Sequence, residues 1–533
     1  MADLLHELPL RSARRRPDAP ALTLLDRTIS YGELAQLIDR VACGLLRLGI
    51  GRGERVAFYL DKRFETVATA FGAACAGAAF VPINPLLKGD QVGHILRDCN
   101  VRIVVTNAER VDGIAETLEA CPDLRHVVVV GDHEDGAAVG GKPVVAWETL
   151  VAHEGARAHR VIDTDLTAIL YTSGSTGKPK GVMLSHRNMV CGARSVASYL
   201  ENTDADVILS ALPLSFDAGF SQLTTAFHAG ARVVLLNYLL PRDVLSALER
   251  ERVTGLTAVP PLWIQLSQLS WPRGIASHLR YIANTGGRMP RETLARLREQ
   301  LPGTRPYLMY GLTEAFRSTY LPPSEVDRRP DSIGKAIPNA EILVLRPDGT
   351  PCAPDEPGEL VHRGALVSMG YWNDREKTAE RFKPLPAGVA GRETGMVLPE
   401  MAVFSGDTVR ADAEGFIYFI GRTDEMIKTS GYRVSPTEIE EVMYSTGLVG
   451  EAAAFGVAHA VLGQAIVVVA TPPAGGSLDA AALAAQMRAR LPAYMVPARI
   501  EAHPGPLPRN PNGKIDRKLL AQERGEQAAR ALA

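Results

Sequence analysis

The chain has 533 residues, 58 basic against 60 acidic (net charge −2), 46% hydrophobic residues and six cysteines. A near-neutral balance with no basic stripe excludes nucleic-acid binding through the overall field, and a length of this order implies two to four domains at roughly 150 residues each. Only 11 of the basic residues are lysine against 47 arginines, and five of the lysines, at 178, 180, 428, 514 and 518, lie inside or beside Gly-rich stretches.

In chain order, Arg14-Arg15-Arg16 before Pro17 reads as a solvated helix end. Leu4 to Leu10 is broken by His6, Glu7 and Pro9 and lacks the layout of a signal peptide. The longest apolar region, Val67 to Ile83, is interrupted by Gly72, Gly77 and Pro82. It reads as a core helix running into a strand, so no stable membrane insertion is expected. Cys43, Cys75, Cys99, Cys121, Cys191 and Cys352 show no CxxC spacing, which predicts reduced thiols and a cytoplasmic protein.

A first set of alternating strand and helix patterns runs from ISYGELAQL to RIVVT. A second, over 166–311, reads strand LTAILYT, helix from Ser185, strand VILSALPL, helix around 219–228, strand RVVLL, helix PRDVLSALERER, strand GLTAVP, helix PLWIQLSQL, strand LRYIANTG, helix PRETLARLREQ, strand RPYLMYG. This alternation predicts βαβ units and parallel sheets covered on both faces, one αβ layer per set. Short strands with hairpin signals at Pro347-Asp348-Gly349 and Glu414-Gly415 predict a β-rich subdomain over 333–420. After Gly421-Arg422 a small α+β unit is expected, with a helix at 436–445, strands EAAAFGV and QAIVVVATP, an Ala-rich helix near 478–491, a strand at 498–503 and a frayed tail after Leu520. The predicted class is α/β, with a large domain over 1–422 and a small one over 425–533.

The most informative stretch is Tyr171 to Gly181, YTSGSTGKPKG, between a buried strand and another short strand leading to a helix. Three glycines, four aliphatic hydroxyls and two lysines make a loop able to surround a polyphosphate. It is not a Walker A loop, because Thr172 stands at the first Gly position and Pro179 follows Lys178.

This loop resembles the signature of the AMP-forming adenylating superfamily, which includes acyl- and aryl-CoA synthetases, nonribosomal adenylation domains and firefly luciferase. Tyr310-Gly311-Leu312-Thr313-Glu314, Gly358-Glu359-Leu360, Ser405-Gly406-Asp407, Gly421-Arg422-Thr423-Asp424 with Ile427-Lys428 and Gly431-Tyr432-Arg433, and PRNPNGKIDRK at 508–518 match its motifs in order over nearly the whole chain. The resemblance implies ATP and Mg²⁺ as cofactors, an acyl-AMP intermediate, and CoA or another phosphopantetheine thiol as acceptor. It implies nucleotide contacts from Thr172, Ser173, Gly174, Ser175, Thr176, Gly177, Lys178 and Lys180, and from Gly286 and Gly287 beside the adenine. Tyr310 and Gly311 would lie against the base, Asp407 on the ribose hydroxyls and Arg422 beside it. Lys514 resembles the catalytic lysine, Glu314 the Mg²⁺ ligand and Thr313 a group near the α-phosphate. Asp424 resembles the hinge of a mobile small domain that withdraws the lysine and presents Gly431-Tyr432-Arg433 to the thiol, since two half-reactions need different groups over one site.

The substrate is less legible. Phe216-Asp217 stands where many ligases have an aromatic-His pair and resembles the Phe-Asp of amino-acid-activating domains. Two readings of Asp217 are open: a partner for a substrate ammonium, or a cap on the helix starting near Ala218. Trp263 and Phe316 are candidates for an acyl pocket or for the core, and Arg317 for a second acidic group on the substrate. MYGLTEAFRSTYLPP and DSIGKAIPNAEILV resemble exosortase-associated acyl-CoA ligases and stand-alone enzymes that load amino acids onto carrier proteins. The expected substrate is therefore a small carboxylic or amino acid and the acceptor CoA or a free-standing carrier protein. A luciferase-type oxidoreductase is a more remote expectation.

Overall fold

The structure is a computed structural model that describes residues 2–156, 158–172, 179–386, 389, 395–422, 425–429, 432–459, 462–473 and 475–532, with backbone alone at 433 and 526–532. Runs of Val and Ile such as His126–Val130 are covered on both faces, as strands of a parallel sheet flanked by helices must be. An eight-stranded sheet runs in the order Lys180–Ser185, Leu166–Thr172, Ala79–Pro82, Arg55–Phe58, Val101–Asn107, His126–Val130, Lys142–Ala146, Ala138–Val139. Leu166–Thr172 thus joins the first layer and not the second, as its place in the sequence had suggested. It lies parallel to Ala79–Pro82 and pairs antiparallel with Lys180–Ser185, Lys180 opposite Thr172. Conversely, Pro20–Leu24 crosses to the second sheet beside Arg232–Leu235. Strand and helix alternation reports that a strand is buried, not which sheet it enters.

In the second sheet Arg232–Leu235, Val207–Ser210, Gly255–Ala258, Tyr281–Asn284 and Arg305–Tyr310 are parallel neighbours. The sheet then turns antiparallel through Thr319–Leu321 and Ser332–Ala336 into the β-rich region. That region is an extension of the same sheet, and its strands Met401–Ala411 and Ile417–Arg422 carry Asp407 opposite Arg422.

The helix Asp217–Ala229 lies between the layers, with every residue from Asp217 to Phe227 buried. Its Phe220 stacks on Phe80 of the first sheet at 4.8 Å between ring centroids and on Phe71 at 5.9 Å. A helix covered all round has no solvated face. Its first residue, Asp217, is therefore cut off from water.

The small sheet is built from Tyr432–Val434, Ile427–Thr429, Gly463–Ala470 and Ala452–His459, with Arg499–Ala502 beside Gly463–Ala470. The helices Pro436–Ser445 and Ala480–Arg490 pack on it. The end of the chain departs from the expected frayed tail: Arg517–Leu532 is a helix, because Leu520 is buried against Ala453, Phe455 and Val467. The six cysteines are free thiols, and among the described residues no helix is long and apolar enough to cross a membrane.

Candidate active site

A cavity of about 1520 Å³ opens at the carboxyl ends of the parallel strands, between them and the small domain. This is where ligands enter open α/β sheets, because helix starts and strand ends converge there. Tyr281–Asn284 runs out at Gly286 and Gly287, and Arg305–Tyr310 at Gly311; all three glycines lie on the cavity wall. Gly286 has φ +76°, a conformation glycine tolerates, and a Cβ there would lie 2.8 Å from Lys514 Cε.

On the nucleotide side, Asp407 is buried with both oxygens engaged: the Tyr310 hydroxyl donates to Oδ2, and Arg422 Nη1 donates to Oδ1 at 3.1 Å. Burial pushes the Asp407 carboxyl up, with the Arg422 charge opposing it, and pushes the Tyr310 phenol well up. Thr313 and Glu314 sit on a 3₁₀ turn, Thr313–Ala315. The Tyr371 hydroxyl donates to Glu314 Oε1 at 2.6 Å. A single carboxylate suits Mg²⁺, which takes one or two of them along with phosphate oxygens and water. Thr172 and Lys180 line the cavity from the hairpin, and Lys180 Nζ lies 3.3 Å from Asp374 Oδ2. Ser173, Gly174, Ser175, Thr176, Gly177 and Lys178 fall outside the described residues, as do Asp424 and Gly431.

Lys514 is presented by a turn that Asn510 organises. Asn510 Oδ1 accepts from the backbone N–H of Asn512 at 3.0 Å and of Lys514 at 3.1 Å, and Asn510 N–H donates to the Lys514 carbonyl at 2.8 Å. Acidic side chains anchor both arms: Glu451 accepts from Leu507 N–H and Arg509, and Glu440 receives the Arg517 guanidinium in two bonds. The Asn84 amide donates to the Pro511 carbonyl at 2.6 Å, tying the turn to the large domain. Lys514 Nζ ends 5.4 Å from the centroid of the Phe216 ring. Burial lowers the pKa of this ammonium, and the Asp217 charge partly restores it.

On the other side of Lys514, Asp217 and Arg317 form a buried ion pair, Oδ2 to Nη1 at 3.2 Å. Asp217 is the first helical residue and Phe216 holds the cap position, so the capping reading does not fit: the carboxylate turns to Arg317. Nor does Arg317 stand free for a substrate acid. Burial pushes the Asp217 carboxyl up, with Arg317 and Lys514 opposing. Arg317 follows Phe316, whose φ of +56° is rare for an aromatic residue. The Phe316 ring fills space left by Gly192, where a Cβ would lie 2.4 Å from Cδ1.

Phe216 lines the cavity, but Trp263 and Phe316 are fully buried in the core. In Pro260–Ser267 the cavity face carries Pro260 and Ile264, one turn apart, while Trp263 points into the layer behind and donates Nε1–H to the Ala258 carbonyl at 3.1 Å. Asn84, Tyr371 and Asn510 were not anticipated from sequence. Only the Asn-Pro-Asn-Gly turn signal around Asn510 could have marked one of them.

A family model described as AMP-binding enzyme matches residues 10–372, and one for its C-terminal domain matches residues 438–514. The chain is 30% identical to a feruloyl-CoA synthase of an Amycolatopsis species over 95% of its own length and 96% of that protein. It is 28% identical to a linear gramicidin synthase of Brevibacillus parabrevis over 97% of its own length, and spans 6% of that protein. The ATP-bound structure of MatB from Rhodopseudomonas palustris superposes with a TM-score of 0.84 at 25% identity, covering 99% of this chain and 100% of that one.

Proposed function

The chain belongs to the AMP-binding enzyme family, and from that premise we propose that it activates a carboxylic acid with ATP, releasing pyrophosphate, and passes the acyl group from its adenylate to a phosphopantetheine thiol. The observation that carries this reading is the Lys514 ammonium, set against Gly286 and Phe216 on the cavity wall. A carboxylate attacking the α-phosphate brings two anions together, and a fixed cation between them offsets the repulsion where the dielectric is low. Asp407 and Arg422, with Tyr310, would hold the ribose and base, exchanging their mutual bonds for bonds to hydroxyls. Glu314 would hold Mg²⁺, whose charge neutralises the leaving phosphates.

The second half-reaction would require Lys514 to leave, with Asp424 as the pivot. Among the described residues its turn meets the large domain through few polar contacts, the Asn84 bond among them, which suits reversible docking. CoA is the preferred acceptor, because the feruloyl-CoA synthase is matched over nearly its full length; a carrier protein is the acceptor that the gramicidin synthase likeness suggests. The Arg317 charge on Asp217 favours an acid without an ammonium. Acid-dependent ATP–pyrophosphate exchange, followed by AMP release on adding CoA or a phosphopantetheinylated carrier, tests the reading. Exchange with no acid, or AMP release with neither thiol, would refute the corresponding half.

A further inference from the structure

The Asp217–Arg317 pair holds hydrogen-bonding capacity that the protein does not use. Both residues line the cavity, with 3% and 2% of their surface exposed. Asp217 Oδ2 and Arg317 Nη1 meet each other, and Nη1 also reaches the Phe316 carbonyl at 3.3 Å. Asp217 Oδ1 and Arg317 Nε find no partner within the protein. A buried acceptor and a buried donor left without partners are each costly. Both are held at packed positions: Asp217 begins a helix buried on all sides, and Arg317 follows Phe316, whose ring fills the space beside Gly192.

Charge decides what can satisfy them. Asp217 and Arg317 cancel each other, and Lys514 is balanced by the carboxylate being activated. An ammonium or a second carboxylate on the acyl group would add a buried charge with no counter-ion. A purely apolar acyl group would leave both atoms unpaired. A neutral group that donates and accepts matches both.

Resting on the adenylation reading above, we infer that the substrate is a hydroxy acid, its hydroxyl donating to Asp217 Oδ1 and accepting from Arg317 Nε–H. The hydroxyl lies close to the carboxylate, because Lys514 sits against Phe216, the neighbour of Asp217.

The test is pyrophosphate exchange with acids matched in skeleton: lactate against propionate, alanine and methylmalonate; β-hydroxybutyrate against butyrate, β-aminobutyrate and methylsuccinate; β-hydroxydecanoate against decanoate; and salicylate against benzoate and phthalate. Within each skeleton that supports exchange, the hydroxy acid should exceed its unsubstituted partner in kcat/KM by about tenfold or more, as sites built to bond a hydroxyl discriminate strongly against its loss. In the double variant Asp217→Leu/Arg317→Met, which removes both charges together, that ratio should collapse toward one, with ATP-induced thermal stabilisation reporting a folded protein. Preference for the unsubstituted, amino or dicarboxylic acid, or a ratio unchanged in the double variant, would overturn the inference while leaving adenylation standing. Silence with every skeleton would count against the adenylation reading and this inference with it.

Discussion

The two halves of the cavity handle their carboxylates in different ways. On the nucleotide side Asp407 accepts from the Tyr310 hydroxyl and from the half-buried Arg422 guanidinium, and the half-buried Glu314 accepts from the Tyr371 hydroxyl. On the acyl side Asp217 is locked to a guanidinium, and one atom of each partner stays unused. Hydroxyl donors and a partly exposed guanidinium can be exchanged for ligand hydroxyls or a cation at small cost, whereas an ion pair desolvated on both sides resists exchange and imposes charge balance on whatever enters. The first arrangement suits a nucleotide common to a whole family. The second suits discrimination among acids.

Removing one partner from each side should separate the two arrangements most strongly. Arg317→Met strands the Asp217 charge and is expected to destabilise the fold by about 3 kcal/mol, while Tyr371→Phe removes a neutral donor from Glu314 at about 1 kcal/mol. Urea unfolding of both variants measures the gap, and equal losses would erase the distinction. At the wall between the halves, Gly286→Ala places a methyl group against Lys514 at a backbone angle that favours glycine. It should lower acid-dependent exchange by up to about a hundredfold, the order expected for misplacing a catalytic group by about 1 Å, and should leave ATP affinity less affected.

The smallest effect is on pH dependence. Burial holds the Lys514 pKa below the ordinary lysine range and Asp217 raises it partway back. The protonated amine is the active form, so exchange should fall as pH rises through that lowered pKa. Asp217→Asn removes the supporting charge and should move the fall to lower pH. A fall that stays in place would show that the two halves are electrostatically independent.

The nucleotide side is readable because its residues come in short contiguous motifs whose chemistry is local: Ser405-Gly406-Asp407, Thr313-Glu314, and the turn ending at Lys514. The acyl side is not, because Asp217 and Arg317 are one hundred residues apart and meet only when a fully buried helix lies against the strand ends. Trp263 illustrates the same limit. An aromatic residue beside a predicted pocket can face either side of its helix, and here it faces the core. Apolar patterning marks Leu166–Thr172 as a strand, but the crossing of that strand and of Pro20–Leu24 between sheets depends on three-dimensional neighbours that periodicity does not encode.

Whether Lys514 serves acid activation from within this cavity is decided by comparing the two half-reactions of Lys514→Ala. Acid-dependent pyrophosphate exchange should fall by about two to three orders of magnitude, as for removal of a group that stabilises developing charge. A preformed acyl adenylate should still be converted to its thioester at close to the wild-type rate. Exchange that persists in the variant, or equal loss in both half-reactions, would show that Lys514 does not have this role.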